Sequence, residues 1–467
     1  MSRHKTLVKN TAIMMLGKIF TQFLSFFMLP LYTNFLPTDA YGMVDLILTY
    51  VGLLAPVVTI QQEMAVFRFL IDARGDDKKQ ASIIATAIKS TFLRLLVFVV
   101  PCLIVPFFVN WEYLYLALLC GIFTALSQLA LQIARGFGNN MQFTIASVIT
   151  GVVNILSNLL LICVWHLGAE SILVSVIISN VVCLVYLFFA LKMSHYFKLG
   201  APNKKMKKEM LKYSWPLVPN GVSWWLINAS DRTVVSVFLG VAMNGIYAVV
   251  NKFPSIMTSF LSVFVMSWTE SASVHINDKD RDEFFSSVAR NTLQIFSGLT
   301  VVLIAAIPLV FDIVVGQEYR EAYNYIPIGI IAVLFNCMVS VYSAIYVAKK
   351  MTKKVMNTSL ISAIINIVVD LILIHFVGLY AAVISTAVAY FVMMIYRHFD
   401  IKKYVHIKYK VLDIVMAGLG IAVILPIYYS NNYILYIVGA VLAILFAIVR
   451  NWGLIMRLMK KILSLFA

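Results

Sequence analysis

Residues 323–348 read YNYIPIGIIAVLFNCMVSVYSAIYVA, a run without a single charge that closes on Lys349 and Lys350. A bilayer's hydrocarbon core is about 30 Å thick and takes about 20 helical residues to cross, so this run reads as a membrane span ending at a charged surface. Working outward, comparable runs recur along the whole chain and predict fourteen spans. Six are Val8–Leu36, Met43–Val66, Ala81–Val109, Tyr113–Ala134, Phe143–Trp165 and Ile172–Leu191. Six more are Tyr213–Leu239, Met243–Trp268, Phe284–Phe311, Tyr323–Ala348, Val355–Val377 and Tyr380–Tyr396. Val411–Tyr429 and Tyr433–Val449 form a closing hairpin.

Composition agrees. Of 467 residues, 61% are apolar and 12% charged, where a soluble domain carries about 25% charged residues. An ordinary water-soluble enzyme is excluded. The net charge of +16 suits either nucleic acid or anionic lipid, and the apolar excess decides for lipid. Lys and Arg gather at the N-terminus, in alternate loops and the helix turns beside them, and at the C-terminus, whereas the opposite loops hold only Arg320. Short cytoplasmic loops collect such charge, so both termini are expected in the cytoplasm and no nucleic-acid partner is needed. The run after the basic Met1–Asn10 segment is too long for a cleaved signal, so the first helix is expected to stay.

The longest basic stretch, residues 192–212 with Lys204, Lys205, Lys207 and Lys208, separates six spans from the next six. The expected organisation is therefore an all-α polytopic membrane protein with a six-helix bundle over 1–191 and a linker over 192–212. A second bundle follows over 213–396, then a helix hairpin and basic tail over 397–467. Phe35, Leu36 and Gly42 match Phe238, Leu239 and Gly245, and Asn154, Ile155 and Leu159 match Asn366, Ile367 and Leu371. Two ordered matches at similar offsets favour duplication, giving parallel, pseudo-symmetric bundles about a cleft, an alternating-access architecture.

Polar groups inside spans mark where such a cleft runs. The first helix carries Lys18, Gln22 and Ser25 at helical spacing, and the eighth carries Asn251, Ser255, Ser259 and Ser262. For Ser and Asn, interhelical packing explains the pattern equally well. Five cations, Lys18, Lys89, Arg94, Arg232 and Lys252, need a stronger reason, because a buried Lys or Arg costs about 2.5 to 3.5 kcal/mol on insertion scales. Asp231, Asn366, Asp370 and Thr386 fall at a similar depth of about 9 to 16 Å from their helix ends. Hard oxygens of this kind suit Na+, or a carboxylate could carry H+; alternatively, Asp231 pairs with Lys252.

The five cysteines show no CxxC spacing and are expected as buried free thiols. No histidine stands at metal-ligand spacing, and neither a phosphate loop nor a nucleophile elbow occurs. The reading is a transporter, not an enzyme.

Leu29-Pro30-Leu31-Tyr32-Thr33-Asn34-Phe35-Leu36 and Tyr41-Gly42, followed by Pro216-Leu217-Val218-Pro219, Asp231-Arg232, Phe238-Leu239-Gly240, Gly245-Ile246-Tyr247 and Lys252, together resemble the Wzx-type polysaccharide transporters of the multidrug/oligosaccharidyl-lipid/polysaccharide (MOP, MATE-like) superfamily. The resemblance implies flipping of an undecaprenyl-diphosphate-linked oligosaccharide repeat to the outer leaflet of a bacterial plasma membrane, alongside polysaccharide polymerase machinery. A diphosphate headgroup calls for a cationic cleft, which Lys18 with Gln22 beside it, Lys89, Arg94, Arg232 and Lys252 could supply, although snorkelling or a structural ion pair explains Lys89 and Arg94 equally well; Lys252 stands where related lipid II flippases carry a cation. Asp231, Asn366, Asp370 and Thr386 resemble the sodium site of those flippases. The rivals are a MATE-like drug or cation antiporter, a lipid II-type flippase, and a multi-span polymerase or ligase. The last would call for a larger outer loop than residues 312–322.

Overall fold

The computed structural model describes residues 26–104 and 113–466, apart from the side chains of 220, 223–228, 457–458 and 460–466. Most of the first predicted span, with Lys18 and Gln22, lies outside the described residues; its end is helix α1 (Leu29–Phe35). The described residues form seventeen α-helices and no strand. Twelve helical stretches among them are long and apolar enough to cross a membrane. The seventh predicted span is present as helix α10 (Leu217–Phe238) but is not among those twelve. The protein is a multi-pass membrane protein.

The chain divides into two compact units, residues 1–229 and 230–467, with the boundary inside α10. The first unit holds α2 (Thr38–Val58), α3 (Gln62–Asp72), α4 (Asp77–Cys102), α5 (Leu114–Gly136), α6 (Asn140–Leu159) and α7 (Glu170–Ala190). Local chemistry fixes several starts: Asp76 accepts from the Lys79 amide at 3.0 Å and Asn139 from the Gln142 amide at 3.4 Å, each satisfying an otherwise orphaned helix donor. Val66, Leu70, Ile84, Ile133 and Leu187 form one buried core. The basic stretch read as a linker is folded against it. Its helices α8 (Met193–Leu199) and α9 (Lys204–Ser214) bury Met193 and Met210 in that same core and leave the α9 lysines exposed. Gly200 permits this approach, since a Cβ there would lie 2.4 Å from the Ala81 carbonyl oxygen.

The second predicted span, Met43–Val66, is not one helix. It breaks between α2 and α3, where Ile60 (φ 55°) and Gln61 (φ 47°) both adopt the left-handed conformation. That region is uncommon for any L-residue and is an outlier for a β-branched one. Pro56, inside α2, removes a backbone donor and weakens the helix just ahead of the break.

In the second unit, α11 (Val241–His275), α12 (Arg281–Val314), α13 (Ile326–Ala348), α14 (Thr352–Val377) and α15 (Tyr380–Ile401) pack around α13. The window of α13 that opened the sequence reading is 61% buried, the highest share of any span. Trp268 donates its indole N–H to the Val341 carbonyl at 3.1 Å, tying α11 to α13. Gly240, at φ 93°, turns the chain from α10 into α11 in a conformation that only glycine adopts without strain. Phe35 and Phe238, matched in the sequence, are the last residues of α1 and α10.

The closing hairpin, α16 (Val411–Tyr428) and α17 (Tyr433–Phe466), packs on α12. Gln294 donates to Asp413 Oδ1 at 2.8 Å and Arg450 to Ser297 Oγ at 2.9 Å. Much of the remaining hairpin surface is apolar and exposed, as are Phe189, Ile313 and Phe376 elsewhere. Such faces are satisfied by acyl chains. The same logic corrects the cysteine expectation: Cys120, Cys183 and Cys337 are buried, Cys102 only partly, and Cys163 is exposed. An apolar run secures burial in lipid as readily as in protein.

Candidate functional site

The buried face of α14 repeats every fourth residue, Thr358, Ser362, Asn366, Asp370 and Ile374, so helical periodicity alone carries a polar stripe into the bundle. Ser362 anchors the stripe by donating to the Ala389 carbonyl of α15 at 3.1 Å. Toward the end of the stripe, four elements converge. Ser230, on α10, donates to Asn366 Oδ1 at 3.1 Å, and Asn366 Nδ2 donates to Ser385 and Thr386 of α15, both at 3.2 Å. Asp231 accepts through Oδ2 from Thr386 at 2.7 Å and from Tyr247 at 2.9 Å. Asp231, Asn366 and Asp370 are all nearly inaccessible.

This brings together Asp231, Asn366 and Thr386, and sets Asp370 one turn further along the stripe. Three carboxylate oxygens, Asp231 Oδ1 and both of Asp370, are buried without a hydrogen-bond partner among the described residues. Leaving such groups unsatisfied costs about 1 to 3 kcal/mol each, more when charged. A proton or a cation relieves the cost. The donor set, two carboxylates with amide and hydroxyl oxygens, fits a hard cation. Among the described residues no group of three His, Cys, Asp or Glu stands close enough to hold a metal.

The predicted cations differ in their surroundings. Arg232 is half-buried with its guanidinium carbon 6.0 Å from the Tyr247 ring centroid, at the limit of a cation–π contact. Lys252 is half-buried on α11, one turn before Ser255, Ser259 and Ser262. Those serines donate to carbonyls of their own helix. Lys89 is exposed. Arg94 is engaged inside the first unit: it donates to the Thr59 carbonyl and to Gln62 Oε1, the latter at 2.8 Å, clamping the break between α2 and α3. Thr59 donates onward to Glu63 at 3.2 Å. Gln61 donates to the Leu217 carbonyl at 3.3 Å, and Gly221 makes room, since a Cβ there would stand 2.5 Å from Gln61 Nε2. Arg94 therefore holds protein atoms.

Two groups were not singled out in the sequence. Glu63 sits at the break. Arg397 follows a predicted span end, where a cation is expected in a loop, yet it is 1% exposed. It donates to Thr358 at 2.7 Å and Ser359 at 3.1 Å on α14, and to Ser343 and the Val339 carbonyl on α13. The signal was available: Thr358 belongs to the polar stripe that points at it.

A family of polysaccharide biosynthesis proteins matches residues 7–269, more than half of the chain. The chain belongs to the polysaccharide biosynthesis protein family. No curated protein matches it. Solved structures show how this member of the family is folded. A lipid II flippase MurJ in an inward closed conformation aligns at TM-score 0.69 with 17% identity, covering 95% of this chain and all of that one. An inward-facing multidrug resistance MATE family transporter of the MOP superfamily aligns at TM-score 0.65 with 13% identity, covering 88% of this chain and 98% of that one. A MOP superfamily transporter from Pyrococcus furiosus, described by a reversed polarity of its binding pocket, aligns at TM-score 0.57 with 13% identity, covering 90% and 96%. The family member thus has the MOP transporter fold, in agreement with the resemblance to Wzx-type transporters.

Proposed function

We propose that the protein flips an undecaprenyl-diphosphate-linked oligosaccharide from the cytoplasmic to the outer leaflet of a bacterial plasma membrane by alternating access. One observation carries the reading: a chain of a polysaccharide biosynthesis family has a transporter fold. The chemistry is consistent with it. A sugar diphosphate is too polar to enter hydrocarbon unaided, and Lys252 and Arg232 supply cations along the membrane-embedded helices, Arg as a planar fork and Lys as a point charge. Lys18 and Gln22 extend this set by sequence alone. Both termini and the Lys-rich loops are cytoplasmic in this reading.

The unpartnered oxygens of Asp231 and Asp370 support coupling to Na+ or H+ at Asp231, Asn366, Asp370 and Thr386. When one of these ions binds, it neutralises buried negative charge. Asn366 and Thr386 orient Asp231 whether or not it is there.

The test is transport in vesicles loaded with a fluorescent undecaprenyl-diphosphate oligosaccharide, with and without sodium and proton gradients. Gradient-dependent arrival of the headgroup in the opposite leaflet is expected. Movement of cationic dyes with the lipid-linked sugar left in place would replace this reading with a drug antiporter.

A further inference from the structure

In the second unit, the connection that follows α12 and the turn between α16 and α17 enclose a pocket of about 420 Å³. That size lies within the roughly 300 to 1,000 Å³ of small-molecule sites. Its wall includes Asp312, Arg320, Glu321, Tyr323, Asn324, Asn431 and Tyr436. None of these belongs to the acidic cluster or the cation set.

The frame behind the pocket is locked. The Tyr323 hydroxyl donates to the Tyr428 carbonyl at 2.7 Å, and the Tyr428 hydroxyl donates back to the Tyr323 carbonyl at 2.6 Å. Their rings stack at 4.2 Å between centroids. Tyr429 donates to the Asn324 carbonyl at 2.8 Å, and Asn431 turns the hairpin in the left-handed conformation at φ 51°, which Asn tolerates. A wall fixed this way keeps its geometry before a ligand arrives, which lowers the ordering cost of binding.

The lining chemistry selects the ligand. Tyrosines offer flat apolar faces with a hydroxyl edge. Asp312 and Glu321 can only accept hydrogen bonds, Arg320 can only donate, and the asparagines do both. Asp312 and Arg320 stand 4.0 Å apart with side chains 64% and 66% exposed. An exposed pair of this kind contributes about 0 to 1 kcal/mol, so stability does not account for it, and both groups remain open to a ligand. A phosphate would meet both Asp312 and Glu321 and a cation would meet Arg320, while an acyl chain would meet too many polar groups. A neutral ligand with apolar ring faces and a rim of hydroxyls that donate and accept satisfies every group.

We infer that this pocket is a carbohydrate subsite, taking one or two neutral sugar units. It lies at the bundle end where the sequence places Arg320 as the only loop cation, the end read as outer. The inference rests on the flippase reading for that sidedness and for sugar as the class present there. The pocket would then receive the headgroup, or its polymer, on the outer face.

The test uses the full protein in lipid nanodiscs and saturation-transfer NMR against glucose, galactose, N-acetylglucosamine and rhamnose, presented separately. At least one should receive saturation, and Asp312→Asn, Arg320→Gln and Tyr436→Ala should each weaken it at least tenfold. Asp312 and Arg320 are exposed, so their variants are expected to keep the parent helix content and melting temperature, which are measured in parallel. No transfer to any of the four sugars, or equal transfer in folded Asp312→Asn and Tyr436→Ala proteins, overturns the subsite. This readout needs no transport. Sugar binding without lipid flipping would sink the flippase reading, whereas flipping with no sugar at the pocket would sink the subsite.

Discussion

Thr386 donates its hydroxyl to Asp231 Oδ2 at 2.7 Å, joining α15 to the last turns of α10. The same hydroxyl accepts from Asn366, so one small side chain orients both a carboxylate and an amide. Thr386→Val keeps the shape and removes both bonds. It should lower sodium- or proton-stimulated transport about tenfold, equivalent to about 1.4 kcal/mol, while leaving ungated leak unchanged. Asp370→Asn should abolish the stimulation, because neither an ion nor a proton is then needed to neutralise the stripe. The measurement is vesicle flux across imposed gradients; undiminished stimulation in Asp370→Asn would refute ion coupling at this cluster.

Arg94 should behave as a structural residue. Arg94→Ala leaves the Thr59 carbonyl and Gln62 without their donor, a loss of about 1 to 3 kcal/mol. A lower melting temperature in detergent is expected, with partial recovery in Arg94→Lys, which keeps the charge but not the fork. If Arg94 instead gripped the diphosphate, the alanine variant would melt like the parent and fail only in transport.

Arg397 ties α13 to α14 through neutral acceptors alone among the contacts described above. Arg397→Ala should destabilise the second unit by about 3 kcal/mol, since several buried acceptors lose their partner at once. Arg397→Gln, which can still donate, should recover part of that loss. Thermal unfolding monitored by the fluorescence of Trp268, buried on α11 of the same unit, reads both; a parent-like transition in the alanine variant would contradict the structural role.

Lys252→Ala should leave lipid-linked substrate on the cytoplasmic face, measured by leaflet-selective labelling. Lys252→Arg should retain transport within a few-fold, as the cation is kept. Parent-like flipping by the alanine variant would remove Lys252 from the headgroup path.

The spans were legible because burial in lipid imposes an unbroken apolar run, and residues 323–348 show it plainly. The polar stripe on α14 was legible too, because Asn366 and Asp370 are spaced by one turn. What escaped the sequence follows from physics that periodicity does not encode. The break at Ile60 and Gln61 has no glycine to announce it, and its stability comes from Arg94, a residue on another helix. Arg397 looks like a loop charge because nearness to a span end usually means solvent, whereas here two neighbouring helices, α13 and α14, close over it. Lys18 and Gln22, outside the described residues, still rest on sequence alone.

The terminal hairpin is fastened at one end to α12 by Asp413 and Arg450 and at the other to the connection after α12 by the paired tyrosines 323 and 428. Cutting the chain before Val411 would strand Gln294 and Ser297 without their partners and uncap Tyr323. A version ending before the hairpin would therefore lose a buttress, not a decoration, and should be harder to purify intact than the parent chain.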